Sequence, residues 1–150
     1  MAIILAALTR SFLIAIISIV VFSLIVEMPI NNILFIFIFG FLSAFILGSL
    51  GFIAGLWAEK FDHTATITNF VITPLSFLSG VFYSIDKLPK MFQIISIFNP
   101  FFYMIDGFRY GFLGKSDGSI NMGLIYLSIL SILIWYVAFF LYKKGYKIKP

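Results

Sequence analysis

The sequence predicts an all-α membrane protein: four transmembrane helices, plus a re-entrant or interfacial helix pair before the last span. Three observations predict it. Of 150 residues, 62% are hydrophobic and only 11% charged, against about 25% charged in an average soluble domain. The charges also come at intervals. There are 16 uncharged residues between Arg10 and Glu27 and 31 between Glu27 and Glu59; 23 run from His63 to Ile85 and 25 from Gly118 to Tyr142. A spanning helix needs about 20 apolar residues. In hydrocarbon the backbone N–H and C=O groups must pair within the segment, so each run must be helical. Continuous runs also exclude a β-barrel, whose strands alternate apolar and polar. Finally, the apolar sequence between Asp86 and Gly114 is too short and too broken to cross a bilayer.

The elements follow in order within one transmembrane domain, residues 1–150. The first span covers about 3–26, with Arg10 snorkelling to the surface. Glu27, Pro29 and Asn31-Asn32 form a polar turn, and the second span runs over about 33–57. That span carries two small-xxx-small pairs, Gly40/Ala44 and Gly51/Gly55, which let helix backbones approach closely. Such pairs serve either packing within the chain or a dimer face. A short charged loop, Glu59, Lys60, Phe61 and Asp62 with His63, leads to the third span at about 64–83. Within it Pro74 has no N–H to offer the carbonyl near Phe70 and kinks the helix.

The re-entrant segment covers about 86–114. Asp86 and Pro89 suit a helix start, Asn99-Pro100 divides the segment, and Gly114 ends it. Two short helices are expected, about 88–98 and 101–113. The last span covers about 120–142. It is followed by the basic tail KKGYKIKP, an anchor that favours the cytoplasmic side and meets anionic lipid headgroups. The four spans then place both chain ends in the cytoplasm.

The net charge of +4 is no sign of nucleic-acid binding, because four of the ten basic residues lie in that tail. There is no cysteine, hence no disulfide, thiol nucleophile or thiolate metal site. The single histidine, His63, reads as a solvated loop residue. No catalytic cluster or phosphate-binding loop is present, so the chain is not expected to be an enzyme or to bind a cofactor. The start MAIILAALT before Arg10 is no secretory signal, which would begin basic. A chain starting inside hydrophobic sequence points to a truncated protein. Asp106 and Arg109 share one helical face. They either stitch the re-entrant element together as an ion pair or contact a substrate or gate.

The stretch GLWAEKFDHTATITNFVITPLSFLSGVFYSIDKLP followed by NPFFYMIDGFRYGFLG resembles the membrane subunit of type-2 ATP-binding-cassette (ABC) exporters. The residues that carry the resemblance are Glu59, Lys60, Phe61 and Asp62, then Pro74 and Ser79-Gly80-Val81-Phe82-Tyr83. Leu88-Pro89, Asn99-Pro100, Tyr103, Asp106-Gly107, Arg109-Tyr110 and Leu113-Gly114 follow. The resemblance implies a six-span permease of the bacterial inner membrane, of which this chain supplies the third to sixth spans. It implies a second permease copy, homodimeric or heterodimeric, and a separate ABC ATPase subunit that holds ATP-Mg. The substrate would be an amphiphile such as a drug, a lipid-linked saccharide or a polysaccharide. Glu59, Lys60, Phe61 and Asp62 would face the ATPase. Pro74, Gly80, Asn99, Pro100, Asp106 and Arg109 would form the kink and outer gate. The alternative is a membrane scaffold, or an inactive permease fragment, that moves nothing.

Overall fold

The computed structural model describes residues 2–27, 29–58, 65–81 and 87–144, all helical or irregular with no strand among them. The helices are α1 (Ala2–Ser23), α2 (Ile33–Trp57), α3 (Ala65–Phe77), α4 (Lys90–Phe98), α5 (Pro100–Leu113) and α6 (Ile120–Lys143). Three of them, α1, α2 and α6, have 22, 25 and 24 residues and are apolar enough to span a membrane. At 1.5 Å per residue each exceeds the roughly 30 Å of a hydrocarbon core.

The third helix is shorter than the sequence predicts. It stops at Phe77 rather than near Tyr83, because Leu78 to Gly80 turn and Gly80 adopts φ 78°. Its length is about 20 Å. Residues 59–64 and 82–86 at either end lie outside the described residues.

Large apolar side chains cover the outside: Leu24 is 83%, Phe70 77% and Met122 64% exposed. On a soluble protein such a surface would aggregate; in a bilayer it meets lipid tails. Two small cores tie the helices together. Ile4 and Leu8 of α1 pack with Phe52 of α2 and Ala138 of α6, which puts the start of α1 and the ends of α2 and α6 at one end of the bundle. Phe39 and Ile46 of α2, Met104 of α5 and Leu127 of α6 form the second core.

The pair α4–α5 matches the predicted re-entrant segment. Asn99 caps α5 by accepting the Phe101 N–H at 3.0 Å, and Pro100 fills the first helical position. Gly114 ends α5 in the left-handed conformation, φ 68°. The carbonyls this leaves open go to the α1–α2 connection. Gly111 O accepts Asn32 N at 2.8 Å and Asn31 N at 3.1 Å. The tip at Asn99-Pro100 points the other way. Phe101 and Met104, one turn past it, belong to the core that includes Ile46, near the middle of α2. The hairpin thus enters and leaves at the end opposite the chain termini and reaches about half-way down the bundle.

Glycines set its depth. A Cβ on Gly107 would lie 2.1 Å from the Phe39 ring, and one on Gly111 would lie 2.5 Å from Ile36 Cγ1. Of the glycines in α2, Gly40 abuts Phe108 and Gly48 abuts Ala7, so both serve packing within the chain. A Cβ on Gly51 or Gly55 would meet nothing within 4 Å among the described residues.

Candidate functional site: the latch between the hairpin and the broken helix

Pro74 cannot donate to the carbonyls behind it, and the chain answers with a widened turn. Residues Thr68–Ile72 form a π-turn in which Thr73 N reaches back five residues to Thr68 O. The Thr73 hydroxyl donates to the same carbonyl at 2.9 Å. The predicted irregularity at Pro74 is therefore real, and it takes the form of a π-bulge.

Past Pro74 the helix ends, and the last carbonyls of any helix lack partners. Here the hairpin supplies them. Asn99 Nδ2 donates to Leu75 O at 2.6 Å, Ser96 Oγ donates to Leu78 O at 2.8 Å, and the Arg109 guanidinium donates to Gly80 O. Arg109 also suits this place because a helix C-terminus carries partial negative charge. Ser79, Ser96 and Asn99 are at most 2% exposed, so these bonds form away from water, where an unmade one is costly. On its far side the hairpin is fixed to α6 by the Tyr126 hydroxyl, which donates to Phe98 O at 2.9 Å.

The acidic partner that the sequence spacing predicts is present in this latch at the limit of ion-pair distance, and a closer one joins it. Asp106 and Arg109 approach to 4.0 Å. Arg109 also pairs with Asp117 at 2.8 Å, in the connection between α5 and α6. Asp106, 2% exposed, accepts the backbone N–H of Asp117 at 2.7 Å and of Gly118 at 3.0 Å. It therefore holds the loop that presents Asp117 to Arg109, and a relay through that loop reinforces the long direct pair. Asp106 lies outside the spanning helices. Burial pushes its carboxyl above the usual carboxylate range, opposed by the two N–H donors and by Arg109.

Of the predicted site residues, Pro74, Gly80, Asn99, Pro100, Asp106 and Arg109 converge on this latch. Glu59, Lys60, Phe61 and Asp62 lie outside the described residues. Ser96, Asp117 and Tyr126 belong to the latch without a sequence signal to mark them. Among the described residues no group of acidic or histidine side chains could hold a metal ion.

Replacing Asn99 with alanine tests the latch. It strands Leu75 O and Phe101 N in a buried place, at about 1–3 kcal/mol for each unsatisfied group. The expected result is a lower unfolding midpoint in detergent, with Asn99→Asp recovering only the cap on Phe101. An unchanged midpoint in Asn99→Ala contradicts the latch.

Spanning helices around a re-entrant pair, itself latched to a proline-broken helix, define a multi-pass α-helical membrane protein. Comparison with known proteins narrows the class. A sequence model of the ABC-2 type transporter family matches residues 1–113, and the chain belongs to this family, the transmembrane permease components of ABC transporters. Over 76 residues it is 47% identical to the inner membrane transport permease YadH of Escherichia coli K12, which covers 51% of this chain and 30% of YadH. Over 86 residues it is 34% identical to nodulation protein J of Rhizobium leguminosarum bv. viciae, covering 57% of this chain and 32% of that protein. Nodulation protein J of Sinorhizobium fredii is 26% identical over 97 residues, 65% of this chain and 37% of that protein. The chain thus matches about a third of the length of these relatives. No solved structure matches it.

Proposed function

We propose that this chain forms part of the permease subunit of an ABC-type exporter of the bacterial inner membrane, moving an amphiphilic substrate. A separate ATPase subunit binds ATP-Mg and supplies the free energy. The permease contributes differential binding of substrate between inward- and outward-facing states. The observation that carries this reading is the family match over residues 1–113, which includes the latched hairpin. The transport permease YadH, by its name a protein of the inner membrane, supports the location.

In this reading the end of the bundle with Lys143 and Lys144 faces the cytoplasm, as the tail charges favour. Glu59, Lys60, Phe61 and Asp62, which follow α2 in the sequence, meet the ATPase in this reading. The hairpin then enters from the outside, and Asn99, Pro100, Asp106 and Arg109 belong to an outer gate. A second permease copy completes the path, with lipid around it.

Purification of the tagged protein from native membranes in mild detergent tests the reading. An ABC ATPase should accompany it in stoichiometric amount, and the double reversal Glu59→Lys/Asp62→Lys should reduce that recovery. A well-folded protein isolated with no ATPase contradicts the proposal and favours a scaffold that moves nothing.

A further inference from the structure

A cavity of about 400 Å³ lies between α1, α2 and α5, within the range of about 300–1,000 Å³ usual for ligand pockets. Phe12, Ala15 and Ile19 line it along α1, and Ile33, Gly40 and Leu47 along α2. Phe108 and Phe112 of α5 form the third wall. Of the two serines on its lining, Ser43 donates its hydroxyl to Phe39 O at 2.6 Å and Ser11 is exposed. The packing of α1 on α2 explains the shape. Near the chain terminus the two helices touch: Ile4 and Leu8 share a core with Phe52, and a Cβ on Gly48 would lie 3.2 Å from Ala7 Cβ. Toward the other end, a Cβ on Gly40 would meet only Phe108 of α5 within 4 Å among the described residues. The helices thus diverge into a wedge, bridged by the stacked rings of Phe12 and Phe37, 6.2 Å apart.

We infer that this wedge is a binding site for one acyl chain of a membrane phospholipid. Its depth fits. Ile33 opens α2 and Leu47 lies just past the middle of that helix; at 1.5 Å per residue they are about 21 Å apart. One leaflet, half the hydrocarbon core, is about 15 Å thick, so the wedge reaches through one leaflet and ends just beyond it. Its wide end has the polarity of a headgroup layer. Glu27, Asn31 and Asn32 lie in the connection there. The Gly114 backbone lies against the Asn31 side chain, which brings the exposed Lys115 to the same end, a cation suited to a lipid phosphate. Water does not suit the interior, because a buried water needs about two to four polar partners. Left empty, the walls would forgo dispersion contacts on their open side. A lipid tail is as apolar as leucine, so the chain gains no hydrophobic free energy by leaving the bulk bilayer. Contact on three sides with helices already fixed in place is what holds it. Because Phe108 and Phe112 belong to the hairpin, the chain also rests against α5. The inference stands whether or not the protein exports anything.

Photocrosslinking tests it. The full protein with its native partners is placed in nanodiscs of phosphatidylethanolamine and phosphatidylglycerol, a fraction of which carries a diazirine within one acyl chain. After illumination, peptide mapping by mass spectrometry locates the adducts. Residues 11–19 and 33–47 should carry several times more adduct than the exposed apolar face of α6 at Ile125, Ile129 and Ile132. Ala15→Phe, which fills the wedge from α1, should lower the adducts in the wedge several-fold and leave those on α6 unchanged. Ile30→Trp narrows the wide end from an exposed position and should act in the same direction. It decides the matter if Ala15→Phe folds poorly. Adducts in the wedge no more abundant than on α6 overturn the inference, and so do adducts that Ile30→Trp does not reduce. An unlabelled wedge, as when another protein segment fills it, overturns it as well.

Discussion

Gly107→Ala is expected to destabilise the bundle by about 1–3 kcal/mol, the usual cost of forcing an extra carbon into a packed interior. The new Cβ would sit 2.1 Å from Cδ1 and 2.3 Å from Cγ of Phe39. Phe39 is fully buried and cannot swing away, since Ile46, Met104 and Leu127 surround the same core. The remaining escape is for α5 to withdraw from α2, which would also disturb the bonds from Asn31 and Asn32 to Gly111 O. Gly111→Ala should act in the same direction. Its Cβ meets Ile36 Cγ1 at 2.5 Å and the Ile36 backbone N at 3.0 Å, and the backbone atom cannot yield. Unfolding in detergent reads both. Gly51→Ala and Gly55→Ala are the controls: with nothing within 4 Å, alanine should be neutral or should gain up to about 1 kcal/mol of helix propensity. The double variant Gly107→Ala/Phe39→Leu should lose less than the two single changes summed. Equal effects at Gly51 and Gly107 would mean that the hairpin is not seated against α2 through its glycine face.

The second large effect belongs to Asp106. Asp106→Ala leaves the N–H groups of Asp117 and Gly118 without their buried acceptor, at about 1–3 kcal/mol for each. The loop should then loosen, and Arg109 should lose the Asp117 carboxylate that the loop presents to it. Asp106→Asn should fall between alanine and the native residue. Its one carbonyl oxygen can accept one N–H, while its amide nitrogen faces the other as a second donor. Amide hydrogen exchange at Asp117 and Gly118 reads this directly: protection should be lost in Asp106→Ala and lowered in Asp106→Asn. If the outer gate works as proposed, export falls in the same order at equal protein levels. Unchanged protection in Asp106→Ala would show that the loop is held by something else.

Much of this architecture was legible in the sequence, for physical reasons that can be named. Charges are costly in hydrocarbon, so the uncharged runs before Glu27 and before Glu59 anticipated α1 and α2, although Arg10 lies inside α1 rather than at its start. Asn99-Pro100 and Gly114 carry local chemistry, a cap and a left-handed stop, and so placed α4 and α5 within two residues of their observed limits. The latch was less legible, because its partners are carbonyls. Any residue offers a carbonyl, so nothing in the letters of Leu75, Leu78 or Gly80 announces an acceptor 18 to 29 residues from its donor. The spacing of Asp106 and Arg109 correctly put them on one face, yet Asp106 spends its oxygens on the Asp117 and Gly118 backbone. Small-residue spacing was equally ambiguous. The same four-residue spacing occurs at Gly51 and Gly55, where an added Cβ would meet nothing within 4 Å, and at Gly107 and Gly111, where it would strike Phe39 and Ile36, so spacing alone does not tell which pair decides how close two helices come.

The central claim is that residues 87–115 enter and leave the bundle at one end. Single cysteines at Lys87, Lys115 and Lys144, in a chain that has none of its own, can be probed in intact cells with a membrane-impermeant thiol reagent. The account predicts that Lys87→Cys and Lys115→Cys are both labelled from outside, and Lys144→Cys only after the membrane is opened. Labelling of positions 87 and 115 from opposite sides would mean that the hairpin crosses the membrane, and would contradict the account.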